Sequence, residues 1–209
     1  MSEIRPLAPD PEGPLDEAAK LLRAGELVVF PTDTVYGLGA DAFNLEATAR
    51  IFEAKQRPRS MPLPVLVARP RQAWALCSDV PQSAQDLVAA FWPGPLTLIL
   101  PQAEGLSWDL GETRGGVAVR MPAHDDLLEL IMLLGPLAAT SANPSGEPTP
   151  LEVREIAAAL GDAAALYLDG GPSAGEVPST IVDLTRWRPK VTREGPISRQ
   201  EIEKTLEGS

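Results

Sequence analysis

Apolar positions recur at helical spacing over 15–24, where Leu15, Ala18, Ala19 and Leu22 share one side and Gly25 marks the stop. The uninterrupted apolar run Leu27–Phe30 follows and ends at Pro31, which predicts a short buried strand. A second helical pattern from Leu45 to Lys55 turns Ala49, Ile51, Phe52 and Ala54 toward a core, with Asn44 placed to cap it. Further strands are predicted at Val65–Val67, Leu96–Leu100, Val117–Arg120, Leu166–Leu168 and Thr180–Leu184, with helical patterns at about 83–91, 125–134 and 151–160 between them. This alternation argues for an α/β fold, a twisted mixed β-sheet flanked by helices. Helices between strands permit parallel pairing, and the short connections between 95 and 120 suit antiparallel pairing.

With 209 residues the chain is long enough to hide roughly 70% of its unfolded surface in one core, and no repeat or linker divides it, so residues 1–209 read as a single domain. Its 44% hydrophobic and 22% charged residues exclude disordered, collagenous and coiled-coil classes. The longest apolar candidate, Leu127 to Ala139, is broken by Gly135 and Pro136, so no membrane span is expected. The first residues hold three prolines before position 12 and no apolar signal-peptide core, and Cys77 is the one cysteine. Both point to the cytoplasm and exclude a thiolate zinc site. His124 is the one histidine and reads as a capping or solvated residue at a helix start. The four tryptophans read as core and hinge residues.

Eighteen Lys and Arg against 29 Asp and Glu give a formal charge of −11, which opposes a broad nucleic-acid footprint. Weak or no direct tRNA binding is expected. Two basic islands stand out, Arg50 to Arg59 and Arg186 to Arg199, and suggest a compact anionic ligand. In KQRPRS, Lys55, Arg57 and Arg59 follow a helix end, where guanidiniums can fork onto phosphate oxygens; cationic decoration of a helix C-terminus is the competing reading. PTDTVYGLGAD combines two threonine hydroxyls, Asp33, Tyr36 and two glycines that would let a ligand approach the backbone, against a polar turn capped by Asp33. TSANPSGEPT packs Thr140, Ser141, Asn143, Ser145 and Thr149 into one segment, either a neutral cradle for phosphate or ribose or a plain turn. Neither a dinucleotide fingerprint nor a P-loop is present.

In order, PTDTVYGLG, KxRP at Lys55 to Pro58, FWPGPLTLIL, VAVRMP, SANPSG, STIVD and REG resemble the YrdC-like family of threonylcarbamoyl-AMP synthases, over about residues 15–198. The resemblance implies a YrdC-like fold with an electropositive concave cleft. It also implies an enzyme, a nucleotidyltransferase, that condenses L-threonine, bicarbonate or CO2 and ATP to threonylcarbamoyl-AMP and pyrophosphate. Downstream tRNA threonylcarbamoyl-transfer proteins would then use that product to make threonylcarbamoyladenosine beside the anticodon. By resemblance Lys55, Arg57, Ser141, Asn143, Thr149 and Arg193 bind ATP, with Lys55 and Arg57 the electrostatic catalysts, and Thr34, Arg120 and Ser179 bind L-threonine. Met61, Gly116 and Ala139 would contribute packing or main-chain contacts. Mg²⁺ would enter on the ATP phosphates, with no ligands from protein side chains. Leu66 stands where some relatives carry histidine. A carbamoyl-adenylate-forming domain and a non-catalytic RNA-binding module are the alternatives.

Overall fold

The computed structural model describes residues 3–207. The first half runs β1 (Glu3–Pro6), α1 (Glu12–Arg23), β2 (Val28–Phe30), β3 (Gly37–Asp41), α2 (Leu45–Lys55), β4 (Val65–Leu66), α3 (Pro70–Ala75) and α4 (Gln82–Phe91). The second half runs β5 (Leu96–Pro101), β6 (Gly116–Arg120), α5 (Asp125–Leu134), β7 (Leu137–Ser141), α6 (Val153–Leu160), β8 (Leu166–Asp169), β9 (Thr180–Asp183), β10 (Lys190–Arg193) and α7 (Arg199–Glu207). All ten strands join one sheet in the order β1-β8-β2-β3-β7-β4-β6-β5-β9-β10. It is mixed as expected: β4 with β6 and β5 with β9 are parallel, whereas β5 with β6 and β3 with β7 are antiparallel.

Alternation along the strands sends neighbouring residues to opposite faces. One face carries Val29, Leu38, Leu98, Val119 and Val182 into a core with Ile51 of α2, Leu87 of α4, Ile156 of α6 and Ile202 of α7. On the other face Val28, Phe30, Leu66 and Leu137 pack with Leu15 and Leu22 of α1 and Leu127 and Leu130 of α5. That second face continues over β5, β6 and β9, where Ile99, Ala118, Ile181 and Asp183 stay partly open to solvent. The uncovered part of the sheet is the floor of the site described below.

Helix α2 starts as predicted, with Asn44 Oδ1 accepting from the Ala47 amide at 3.0 Å. Other expectations need correction. A Cβ at Gly37 or Gly39 would lie 2.7 Å from the Phe30 ring, so these glycines make room for that ring and not for a ligand. His124 precedes α5, but its side chain makes no capping bond, and Nδ1 is buried with no partner among the described residues. Trp74 and Trp92 stack at 6.2 Å beside the core, whereas Trp187 is 97% exposed, because it occupies the turn between β9 and β10. Cys77 is half-buried and its thiol donates to Ala73 O; burial pushes its pKa up to about 12. Among the described residues no helix is long and apolar enough to cross a membrane.

Candidate active site

Pro31 ends β2 and starts a turn whose hydroxyl protons can be assigned one by one. Thr32 Oγ1 donates to Val35 O at 2.7 Å and accepts from the Thr34 amide at 3.0 Å. Its proton is thereby used, so the 3.1 Å contact between the two threonine hydroxyls is donated by Thr34. Thr34 Oγ1 in turn accepts from Arg120 Nη1 at 3.0 Å. Arg120, at the end of β6, also donates from Nε to Gly94 O at 3.1 Å and from Nη2 to Asp33 Oδ1 at 2.6 Å. Segment 170–175 is tied to the back of this turn: Ser173 Oγ and the Gly175 amide donate to Thr34 O, and Tyr36 OH donates to Gly171 O.

From this corner the open floor runs along three strands. Residues Thr97 and Ile99, Gly116, Ala118 and Arg120, and Ile181 and Asp183 share its face through the pairs Ile99↔Ala118 and Ile99↔Asp183. Ser179 joins the Arg120 end, its hydroxyl 2.8 Å from Thr97 Oγ1, and Arg193 reaches it with Nη2 at 3.2 Å and Nε to Ser179 O at 2.9 Å. At about 3.3 Å per residue, Arg120 and Gly116 stand about 13 Å apart along β6. The Gly116 end opens into a cavity of about 380 Å³ lined by Ser60, Pro62, Ile99, Ala118, Thr185 and Arg186, among others. A Cβ on Gly116 would meet Ile99 Cγ2 at 3.1 Å and Thr185 Cγ2 at 3.4 Å, so a small residue there keeps the floor low. A larger cavity of about 560 Å³, lined by Pro6, Leu7, His124, Asp126 and Asp169 among others, includes none of the expected site residues.

The wall opposite comes from the end of α2 and the segment after β7. Arg57 Nε donates to Met61 O at 2.7 Å, Nη2 to Pro62 O at 3.2 Å and Nη1 to Thr140 Oγ1 at 3.4 Å, which fixes the guanidinium at the end of α2 beside β7. Lys55 is only 3% exposed, and its ammonium donates to Ser141 O, Asn143 O and Asn143 Oδ1. Asn143 then donates to Pro144 O and Glu147 O, and Thr149 donates to Asn143 Oδ1 at 3.3 Å. Lys55 and Asn143 therefore fasten the SANPSG loop from inside, while Ser141 stands on the strand face shared with Ala139. Arg59 leaves the group: it pairs with Asp109 and lies 4.8 Å over the Phe52 ring. Met61 is 49% exposed at the rim, and Ala139 is buried beside Leu66 in the core under α1 and α5.

Burial lowers the pKa of Arg57, Arg120 and Arg193, and both Arg120 and Arg57 lower that of Arg193 further by repulsion. Three guanidiniums thus act in one field, and the Asp33 carboxylate partly offsets the effect on Arg120. Burial, then Arg57, brings Lys55 down to about 8. Such a concentration of positive charge, in a chain of net charge −11, suits polyanionic substrates. Among the described residues no three His, Cys, Asp or Glu gather as a metal cluster. The sequence missed two features: Asp33 as the partner of Arg120, and Lys55 as an internal fastener. An acid in a polar turn and a basic residue at a helix end both have ordinary explanations, and only the fold overrides them.

The sequence pattern of the Sua5/yciO/yrdC family, described as "Telomere recombination", matches residues 20–195. The chain belongs to the Sua5/YciO/YrdC family. A Mycobacterium tuberculosis relative, provisionally named a threonylcarbamoyl-AMP synthase, is 48% identical over 189 residues, which cover 90% of this chain and 87% of its own. The threonylcarbamoyl-AMP synthase of Bacillus subtilis is 43% identical over 199 residues, 94% of this chain and 57% of that one. Among solved family structures, Pyrococcus abyssi Sua5 complexed with L-threonine superposes with a TM-score of 0.93 at 42% identity, covering 98% of this chain and 61% of the other.

Proposed function

We propose that this chain is an L-threonylcarbamoyladenylate synthase. The observation that carries the reading is the convergence of Arg57, Arg120 and Arg193 at one end of a sheet floor that no helix covers, whose other end, at Gly116 and Ala118, is a cavity large enough for a nucleoside. ATP fits with its adenosine over Gly116 and Ala118 and its phosphates toward Arg57 and Arg193. L-Threonine fits at Thr34, Arg120 and Ser179, where N–H groups of the Arg120 fork are left for its carboxylate. Its α-ammonium first gives up a proton to solvent; the neutral amine then adds to the carbon of CO2 and loses a second proton, giving a carbamate. A carbamate oxygen attacks the α-phosphorus, and the bond to the bridging oxygen breaks to release pyrophosphate.

Such a step needs anions held together and their charge offset, not a covalent nucleophile. Arg57 and Arg193 supply the offset from fixed positions, and Lys55 contributes by keeping Ser141 and Thr149 in place through the loop. Mg²⁺, arriving on ATP, supplies further neutralisation. The hard, neutral oxygens of Ser141, on the floor side of β7, and of Thr149 would suit contacts to its retained waters. The product would pass to tRNA threonylcarbamoyl-transfer proteins in the cytoplasm. Pyrophosphate release from ATP and Mg²⁺, with L-threonine and bicarbonate omitted in turn and L-serine as control, tests this. Release that requires both supports the synthase; a requirement for carbamoyl phosphate instead supports the carbamoyl-adenylate alternative.

A further inference from the structure

At the Arg120 corner, Asp33 is a hydrogen-bonded side chain without a substrate partner in the proposed function. Asp33 gives Oδ1 to Arg120, while Oδ2 is buried with no partner among the described residues. A buried carboxylate oxygen without a donor is costly, and most such groups in folded proteins find one. Thr34 Oγ1, next along the chain, has spent its proton on Thr32 and accepts once from Arg120, so one lone pair remains. The corner therefore offers two unused acceptors, one of them anionic, beside a guanidinium that can only donate. The complementary ligand carries N–H donors on a cation next to a carboxylate.

We propose that Asp33 Oδ2, with Thr34 Oγ1, receives the α-ammonium of an amino-acid substrate whose carboxylate lies on Arg120, so that Asp33 selects amino acids over hydroxy or simple carboxylic acids. This rests on the threonine reading above and assigns the nitrogen a partner in it. Asp33 keeps 13% of its side-chain surface open, and the terminal torsion of a carboxylate is broad and two-fold. Binding would require a partial turn about Cβ–Cγ that presents Oδ2 to the ligand while the other oxygen keeps Arg120. The ordered Thr32–Thr34 chain fixes the direction of the second acceptor before the ligand arrives.

The test is calorimetric titration, without ATP, of wild type and Asp33→Asn with L-threonine and with (R)-3-hydroxybutyrate, which keeps the carboxylate and β-hydroxyl but lacks the ammonium. Asn keeps an acceptor for Arg120 and replaces the other oxygen by a donor. Wild type should prefer threonine by about 10- to 100-fold, the scale of charge-assisted hydrogen bonds. Asp33→Asn should lose that preference, through weaker threonine binding and unchanged hydroxybutyrate binding. Equal weakening of both ligands would mean that Asp33 only positions Arg120, and would overturn the proposal. Wild type alone decides the matter if the variant does not fold, since equal affinity for the two ligands also overturns it. Failure of wild type to bind threonine at all would instead remove the threonine reading of the cleft.

Discussion

Lys55→Met separates two roles that a basic residue at this position can play. The ammonium is enclosed and gives its bonds to Ser141 O, Asn143 O and Asn143 Oδ1. Methionine has similar length and no donor. Asn143 Oδ1 would still accept from Thr149, which leaves two main-chain oxygens without that donor. At roughly 1–3 kcal/mol for each buried unsatisfied group, the loss is about 4 kcal/mol, reduced to about 2–3 kcal/mol because the cost of burying an ammonium is also removed. For a chain of this size that corresponds to a fall in Tm of roughly 4–12 °C. Thermal unfolding followed by circular dichroism gives the stability, and titration with ATP gives binding. Arg57→Ala should show the reverse weighting, a smaller fall in Tm, because its bond to Met61 O is solvent-exposed and water can replace the guanidinium there, with ATP binding weakened about 10- to 100-fold, as expected for a charged partner lost from a site. A Lys55→Met protein as stable as wild type but unable to bind ATP would refute the fastener argument and make the ammonium a phosphate ligand.

Gly116→Val should weaken ATP binding at least tenfold and leave L-threonine binding unaltered, because the new methyls occupy the floor of the 380 Å³ cavity and not the Arg120 corner; separate titrations with each ligand check this. Gly37→Ala should destabilise by about 1–3 kcal/mol through overpacking against Phe30, and Phe30→Leu should restore much of that loss when combined with it in urea unfolding; no recovery would contradict the ring-packing account. The pKa of Lys55 falls from 10.5 to about 8 on folding. Between those values the unfolded chain therefore binds more protons at this group, and stability should rise with pH. Cys77, raised from 9.0 to about 12, acts in the opposite sense over its own window. The difference between wild-type and Lys55→Met stability curves isolates the lysine contribution.

Strands such as β5 and β6 were legible because runs of branched apolar residues bury their cores, and α2 because its cap and apolar spacing agree. β3 was not, since GLGAD carries no branched residue except Leu38 and two glycines that only the Phe30 ring explains. β7 hid in the small residues of LAATS, directly after the apolar helix α5. β1 and β10 are short, exposed sheet edges whose polar residues give little alternation to read. At the site, Arg57, Arg120 and Arg193 stand out by residue type, but whether a cation faces a ligand or its own chain depends on contacts made far along the sequence. Arg59 and Lys55 show both outcomes that spacing alone does not distinguish.

The pairing of Leu96 with Thr180 and of Gly37 with Ser141 joins segments 84 and 104 residues apart in a chain of 209. Loops of that size close late and at an entropic cost that only the finished sheet repays, which places such folds among those governed by non-local contacts. The cleft has no local nucleus of its own: Thr34, Arg57, Arg120, Ser141 and Arg193 meet only after the central strands have docked. Catalytic competence is consequently a report on the topology of the whole chain, so a nicked or circularly rearranged protein should regain ligand binding only as cooperatively as it regains its sheet.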